Sequence, residues 1–274
     1  MHRHFTTFSK RDRLSNFIAA QYSARRHWLL KVGVLLCLLA LKPIPAIQYV
    51  SGQTSTKNKS AIAPLLYSGN ESGSFRILFG GEEIGLEKFE ITEGADGIRA
   101  TGEIRLTVER EGSKVTFLIH PLLHFSRFFE PISYEVTQES GPNRTKAQVN
   151  FKEGGSEAVY ESGKEKESRQ INLKKDVTVL DDNVFHQYII LAKRYDFQKG
   201  GIQELSAFVP QQFIAGGVSI SDKGLASVEV GKNTMKLQHL LVDTGELQIS
   251  LWLNEKHDLL KLAVPKSNVE VIRN

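Results

Sequence analysis

Two histidines stand four residues apart in His120-Pro-Leu-Leu-His124. On an extended segment that spacing puts both imidazoles on one face. A zinc site would need at least a third protein ligand. The sequence offers none nearby, and Pro121 disturbs the strand, so no metal is expected and both are read as surface or rim histidines. Asp181 and Asp182 are adjacent carboxylates of the kind that share acid–base work, with His186 four residues on. They also stand just before an apolar stripe at helical spacing, where acidic side chains cap a helix, and capping is the expected role. No serine lies in a Gly-x-Ser-x-Gly context. Gly80-Gly81 and Gly216-Gly217 lack the lysine and the strand–loop–helix setting of a phosphate loop. They read as turn or bulge glycines. No catalytic residue, cofactor or metal is expected, and the chain is read as a non-enzyme.

Aromatic side chains are the remaining candidates. Trp252 falls on the face opposite Leu251 and Leu253, beside Gln248 and Ser250. An amphipathic ring there suits the mouth of an apolar groove, and it equally suits a strand covered on both faces. Phe128, Phe129 and Phe213 adjoin irregular breaks and belong either to the same rim or to the core. These four are the candidate ligand-binding residues.

The elements that must position them are strands. In Ile98-Arg-Ala-Thr-Gly-Glu-Ile-Arg-Leu-Thr-Val108, the residues Ile98, Ala100, Ile104, Leu106 and Val108 share one face with Gly102, and polar residues take the other. Strict alternation marks a half-buried antiparallel strand. The pattern recurs at Val115/Phe117/Ile119, Ile132/Tyr134/Val136, Ala147/Val149/Phe151, Ile171/Leu173, Val228/Val230, Leu247/Ile249/Leu251/Leu253 and Val269/Val271. Glycine-rich turns such as Glu111-Gly112, Gly154-Gly155 and Gly163 separate these runs. Their spacing predicts hairpin after hairpin, about 10–12 strands. One segment breaks the period: Phe185, Tyr188, Ile189 and Ala192 fall at i, i+3, i+4 and i+7, with Lys193 and Arg194 trailing. This predicts one helix near 183–194, its apolar stripe docked on the sheet. The expected fold is mainly β (α+β): one strongly curved antiparallel sheet or half-barrel with a single docked helix.

The chain has 274 residues and a formal net charge of +4. That balance invites a nucleic-acid reading, which the distribution of charge removes. Residues 1–46 hold eight Lys+Arg against one acid, so the rest carries 27 bases against 30 acids, a net −3. Lys164, Lys166, Lys174 and Lys175 are interleaved with Glu165, Glu167 and Asp176. This is a solvated face rather than a basic stripe with stacking aromatics. The basic lead is followed by the apolar run Val32–Leu41 and then Lys42-Pro-Ile-Pro-Ala46. That is the layout of a secretory signal peptide, with cleavage expected after Ala46. Ten apolar residues are short of the roughly 20 that span a bilayer. An uncleaved single-pass anchor over residues 28–47 stays open, because Lys31 can snorkel. Residues 47–74 read as a flexible tether, and 75–273 as one β half-barrel domain. Cys37, the sole cysteine, lies in the targeting segment.

Three stretches carry a family resemblance: Phe79-Gly-Gly-Glu-Glu-Ile-Gly-Leu86, Leu180-Asp-Asp-Asn-Val-Phe-His-Gln-Tyr-Ile-Ile-Leu-Ala-Lys-Arg-Tyr-Asp-Phe197, and Leu251-Trp-Leu-Asn-Glu-Lys-His-Asp-Leu-Leu-Lys-Leu-Ala-Val-Pro265. From roughly Phe75 to Arg273 the chain resembles an uncharacterised family of bacterial secreted envelope proteins, built like the periplasmic lipoprotein carriers LolA and LolB. The resemblance implies a curved sheet wrapped around a helix, with an apolar concave face. The expectation is therefore an exported, periplasmic or envelope-associated, non-catalytic protein that binds a lipid or other apolar ligand in a sheet groove. The alternative is a structural module that pairs with another envelope protein; a secreted hydrolase ranks below both. Nucleic acid is not an expected partner, and membrane contact is expected only through the N-terminal segment.

Overall fold

Alternating side chains satisfy one buried face per strand, and short turns let each strand pair with the next. In the computed structural model, which describes residues 65–110 and 112–274, this produces one sheet of fifteen strands. The first wing is a meander of β1 (Glu71–Phe79), β2 (Glu82–Gly94), β3 (Gly97–Arg110), β4 (Ser113–Phe125), β5 (Pro131–Ser140), β6 (Asn143–Asn150), β7 (Ser156–Ser162) and β8 (Glu165–Ile171). The chain then crosses through β9 (Thr178–Val179) and helix α1 (Gln187–Lys193). The second wing is β10 (Ile202–Val209), β11 (Ile214–Val230), β12 (Asn233–Asp243), β13 (Gln248–Leu253), β14 (Leu259–Val264) and β15 (Val269–Arg273). The two wings join where β1 pairs with β15, from Phe75 opposite Arg273 to Phe79 opposite Val269. All ladders are antiparallel except the short parallel pairing of β9 with β10.

The fold class read from the sequence is the observed one. The number of strands is larger than expected, because each long hairpin arm yields a strand and because β1, β2, β10 and β14 carry weaker alternation. The helix is shorter than 183–194: residues 183–186 form a tight irregular entry with Asn183 in the left-handed region at φ 62°. Ile171 ends β8, and Leu173 lies beyond it. The folded unit also begins before Phe75. Tyr67 is buried, its ring edge-on to Phe125 at 5.3 Å, and its N–H donates to the Arg127 carbonyl at 2.8 Å. Glu71 joins Arg273 of β15 at 2.6 Å and Lys193 of the helix at 3.2 Å. The export segment 1–46 and the tether up to residue 64 lie outside the described residues.

The sheet curls until its edges face one another across side chains instead of a ladder. Phe151 meets Phe208 edge-on at 6.5 Å, and the Arg169 guanidinium of edge strand β8 lies 5.0 Å over the Phe213 ring. Every residue from Val177 to Ala192 is buried, as are Arg194 and Tyr195. The concave face of the sheet is thus packed against the chain's own crossing segment.

Candidate functional site

The crossing segment carries most of the buried polar residues among those described: Thr178, Asp181, Asp182, Asn183, His186, Gln187 and Arg194. A buried polar group is costly unless it is paired; the sheet partners some of these, the segment itself partners others, and Asn183 Oδ1 and His186 Nε2 have none among the described residues. Glu87 supplies the largest part. It sits on β2 at the same parity as Phe89 and Ile91, points inward, and is fully buried. Its carboxylate lies 2.5 Å from His186 Nδ1 and accepts from the N–H groups of Phe185 at 2.9 Å and His186 at 3.3 Å. Those N–H groups belong to the entry of α1, where orphan donors need acceptors. Glu87 therefore caps the helix from across the sheet.

Asp181 and Asp182 do not cap α1, which corrects the expectation from sequence. His186 holds the N-cap position with no side-chain cap bond, and the two carboxylates turn elsewhere. Tyr134 of β5 donates its hydroxyl to Asp181 Oδ2 at 2.7 Å, and the Gln211 N–H donates to Oδ1 at 3.2 Å. The Asp181 N–H in turn donates to Gln187 Oε1 at 2.6 Å. Gln212 Nε2 donates to Asp182 Oδ2 at 2.6 Å, leaving Oδ1 without a partner. Burial pushes the Asp181 carboxyl up to about 6, against the opposing pull of the Tyr134 hydroxyl. Burial and the neighbouring Asp181 charge push Asp182 up to about 7. Burial and the Asp181 charge also drive Tyr134 well above its ordinary value.

Gly102 makes room for this arrangement. A Cβ there would stand 3.0 Å from His186 Cε1 and 3.1 Å from Pro121 Cγ, so any larger residue would press the imidazole and the proline ring back by a few tenths of an ångström. At the other end of the segment, the Arg194 guanidinium donates to the Asp176 carbonyl at 2.6 Å and to Thr178 Oγ1. Beside it, Leu123, Phe125, Phe129, Val177, Ile190 and Arg194 line a crevice of about 10 Å³, near the lower limit for one water.

The aromatic residues singled out by sequence do not converge. Phe129 is buried at φ 61°, 5.9 Å from the Tyr67 ring. Phe128, its neighbour in the β4–β5 turn, is exposed. Phe213, at φ 54°, closes the 3-10 turn Pro210–Gln212 beneath Arg169. Trp252 lies on the outer face of β13, half-buried, stacked on His239 at 5.1 Å with Lys261 Nζ 5.7 Å over its ring. Its cover comes from cross-strand neighbours rather than from a helix or loop. His124 Nε2 lies 3.0 Å from the Asp96 carbonyl, and His120 is exposed. Among the described residues no group of three or more His, Cys, Asp or Glu is placed to hold a metal.

No protein-family model matches the chain, and no curated protein matches it either. Two solved structures are similar. A β-barrel-like protein of the domain of unknown function DUF1849 from Brucella abortus covers 77% of this chain and 96% of its own, at 7% identity and TM-score 0.51. A DUF1089 family protein from Pseudomonas aeruginosa covers 76% and 95%, at 12% identity and TM-score 0.38. The fold is β-barrel-like. At such identity the likeness speaks for architecture and not for activity.

Within this β-barrel-like frame the Glu87–His186 pair and the Asp181/Asp182 pair have the chemistry of proton exchange. Catalysis also needs a place about 3 Å from the acting groups where a reacting atom can sit. Both pairs are enclosed, and their partners are structural: helix N–H groups, a tyrosine hydroxyl and two glutamines. The arrangement is a set of struts that fixes the crossing segment inside the sheet. Sequence reasoning missed Glu87. Its signal was a charged residue at the inward parity of Phe89 and Ile91.

Proposed function

We propose that this protein is a non-catalytic cell-envelope scaffold that works through its outer surface. One observation carries the reading: the concave face, where a lipoprotein-carrier-like protein would hold a ligand, is occupied by the unbroken buried run Val177–Ala192. The envelope assignment rests on the basic lead, the apolar run Val32–Leu41 and the Pro-containing stretch to Ala46. One charged edge also favours a scaffold that remains discrete. β8 reads Glu-Lys-Glu-Ser-Arg-Gln-Ile, and such an edge resists strand addition.

Native mass spectrometry after mild purification, together with titration by an environment-sensitive apolar dye, tests the reading. The expected result is an unliganded mass and no saturable dye binding. A stoichiometric copurifying lipid would overturn it and restore the carrier reading. The crevice beside Phe129 is the specific feature that favours that second reading, because withdrawal of Ile190 and Arg194 would widen it.

A further inference from the structure

The sheet has two rims. At one lie the starts of β1, β3, β5, β7, β10, β12 and β14 and the ends of the strands that run the other way. The described chain enters there at Leu65. The far rim carries the turns Gly80-Gly81, Gly141-Pro142 and Gly163-Lys164. Eight large apolar side chains are exposed among the described residues, and they gather toward the entry rim. Leu65 and Leu66 precede Tyr67, which is bonded to the Arg127 carbonyl, and Phe128 follows Arg127 in the β4–β5 turn. Leu122 and Ile132 flank that turn on β4 and β5. Ile202 is the first residue of β10 and is 70% exposed. Leu225 pairs with Gln238, which pairs with Leu253 at the rim end of β13, and Met235 lies further out on the same hairpin. None of the eight lies in a far-rim turn.

From this segregation we infer that the entry rim is a membrane-contact surface, with a lipid bilayer as its partner. This extends contact beyond the N-terminal segment, to which sequence alone confined it. Exposed apolar side chains gathered on one side mark an interaction site. The sequence identifies its occupant. Twenty-three residues, 42–64, separate the apolar run Val32–Leu41 from Leu65. A linker of that length spans at most about 80 Å, so the surface that takes up the run is within reach of the rim. Leu, Ile, Phe and Met are the side chains that settle at the headgroup boundary. Lys57 and Lys59 in the linker suit an anionic leaflet, while on the rim Lys175 is already paired with Glu130 at 3.2 Å. The inference rests on the envelope reading with residues 28–47 retained as the single-pass anchor, because cleavage after Ala46 would remove the tether.

The test uses the full chain carrying Cys37→Ala, with single cysteines at the entry rim (Leu66→Cys, Phe128→Cys, Ile202→Cys) or the far rim (Ser113→Cys, Lys164→Cys). Each is labelled with a polarity-sensitive fluorophore and mixed with phosphatidylcholine–phosphatidylglycerol vesicles. Entry-rim labels are expected to blue-shift and brighten and to be quenched by lipid-borne quenchers, while far-rim labels stay aqueous. Vesicle binding with both sets of labels aqueous would mean that only residues 1–64 touch lipid, and would overturn the inference. So would equal shifts at both rims. A reporter fused after residue 64 separately reads export. A reporter that stays inside the cell sinks the envelope reading whatever the labels show.

Discussion

The two wings of the sheet solve the same packing problem with different chemistry. Beneath β11–β15 the inner face is apolar throughout, with Val218, Ile220, Leu240, Val242, Ile249, Leu251, Leu253, Leu262 and Val271 all at 1% exposure or less. Beneath β2–β5 the inner face includes Glu87, Gly102 and the Tyr134 hydroxyl, each matched to a polar group of the crossing segment. An apolar face accepts any complementary apolar surface, whereas a buried carboxylate accepts one register only. The second wing therefore supplies cohesion. The first fixes where the crossing segment sits. The difference teaches that filling a curved sheet and locating its filler are separable tasks.

Substitutions can break or sharpen this contrast. Glu87→Ala should cost about 4 kcal/mol, because it strands a buried imidazole and two helix N–H groups. Urea unfolding measures it, and hydrogen exchange should show early opening of 185–193; a cost under about 1 kcal/mol would make the wings alike. Leu251→Ala, a pure cavity in the apolar wing, should cost about 3 kcal/mol without that local opening. Asp182→Asn should raise stability at pH 8 by about 2 kcal/mol. The sign follows from the folded values of about 6 and about 7 for Asp181 and Asp182. Both exceed the ordinary carboxylate value of about 4, so the folded state keeps protons that the unfolded chain releases. The contribution is full below pH ~4 and is lost as pH rises through 6 and 7. Urea midpoints at pH 5 and pH 8 should differ in the parent and differ less in the variant, where Asp181 alone still titrates near 6. Gly102→Ala should cost about 1.5 kcal/mol by crowding His186 and Pro121. Arg169→Ala, at the partly exposed seam, should cost about 0.5 kcal/mol, a shift detectable only by paired melts.

The apolar wing was legible because period-two alternation writes burial directly into sequence, as Leu247/Ile249/Leu251/Leu253 did. The existence of the helix was legible from Phe185, Tyr188, Ile189 and Ala192 at helical spacing. Its start was not, because the acceptor for its first N–H groups is Glu87, nearly a hundred residues away. Asp181 and Asp182 looked like caps because local spacing cannot reveal Tyr134 or Gln211, which curvature brings to them. The four candidate aromatics failed to converge for the same reason: adjacency to a break says nothing about which rim or face the break occupies. Trp252 was placed correctly on the face opposite Leu251, but its cover is a ladder from His239 to Lys261, a property of register.

The pairing of β1 with β15 puts the two ends of the folded chain side by side at the centre of the sheet. Arg273 binds Glu71 across 202 residues of sequence, and the Asn274 N–H donates to the Ser74 carbonyl at 3.0 Å. Each wing can zip up hairpin by hairpin through local contacts, which form quickly. The seam between them cannot. A chain leaving the ribosome must hold β1 with one edge bare until β15 emerges. The five-residue β15 is thus the clasp on which the joining of the two wings waits, and deleting it would leave them without a shared ladder.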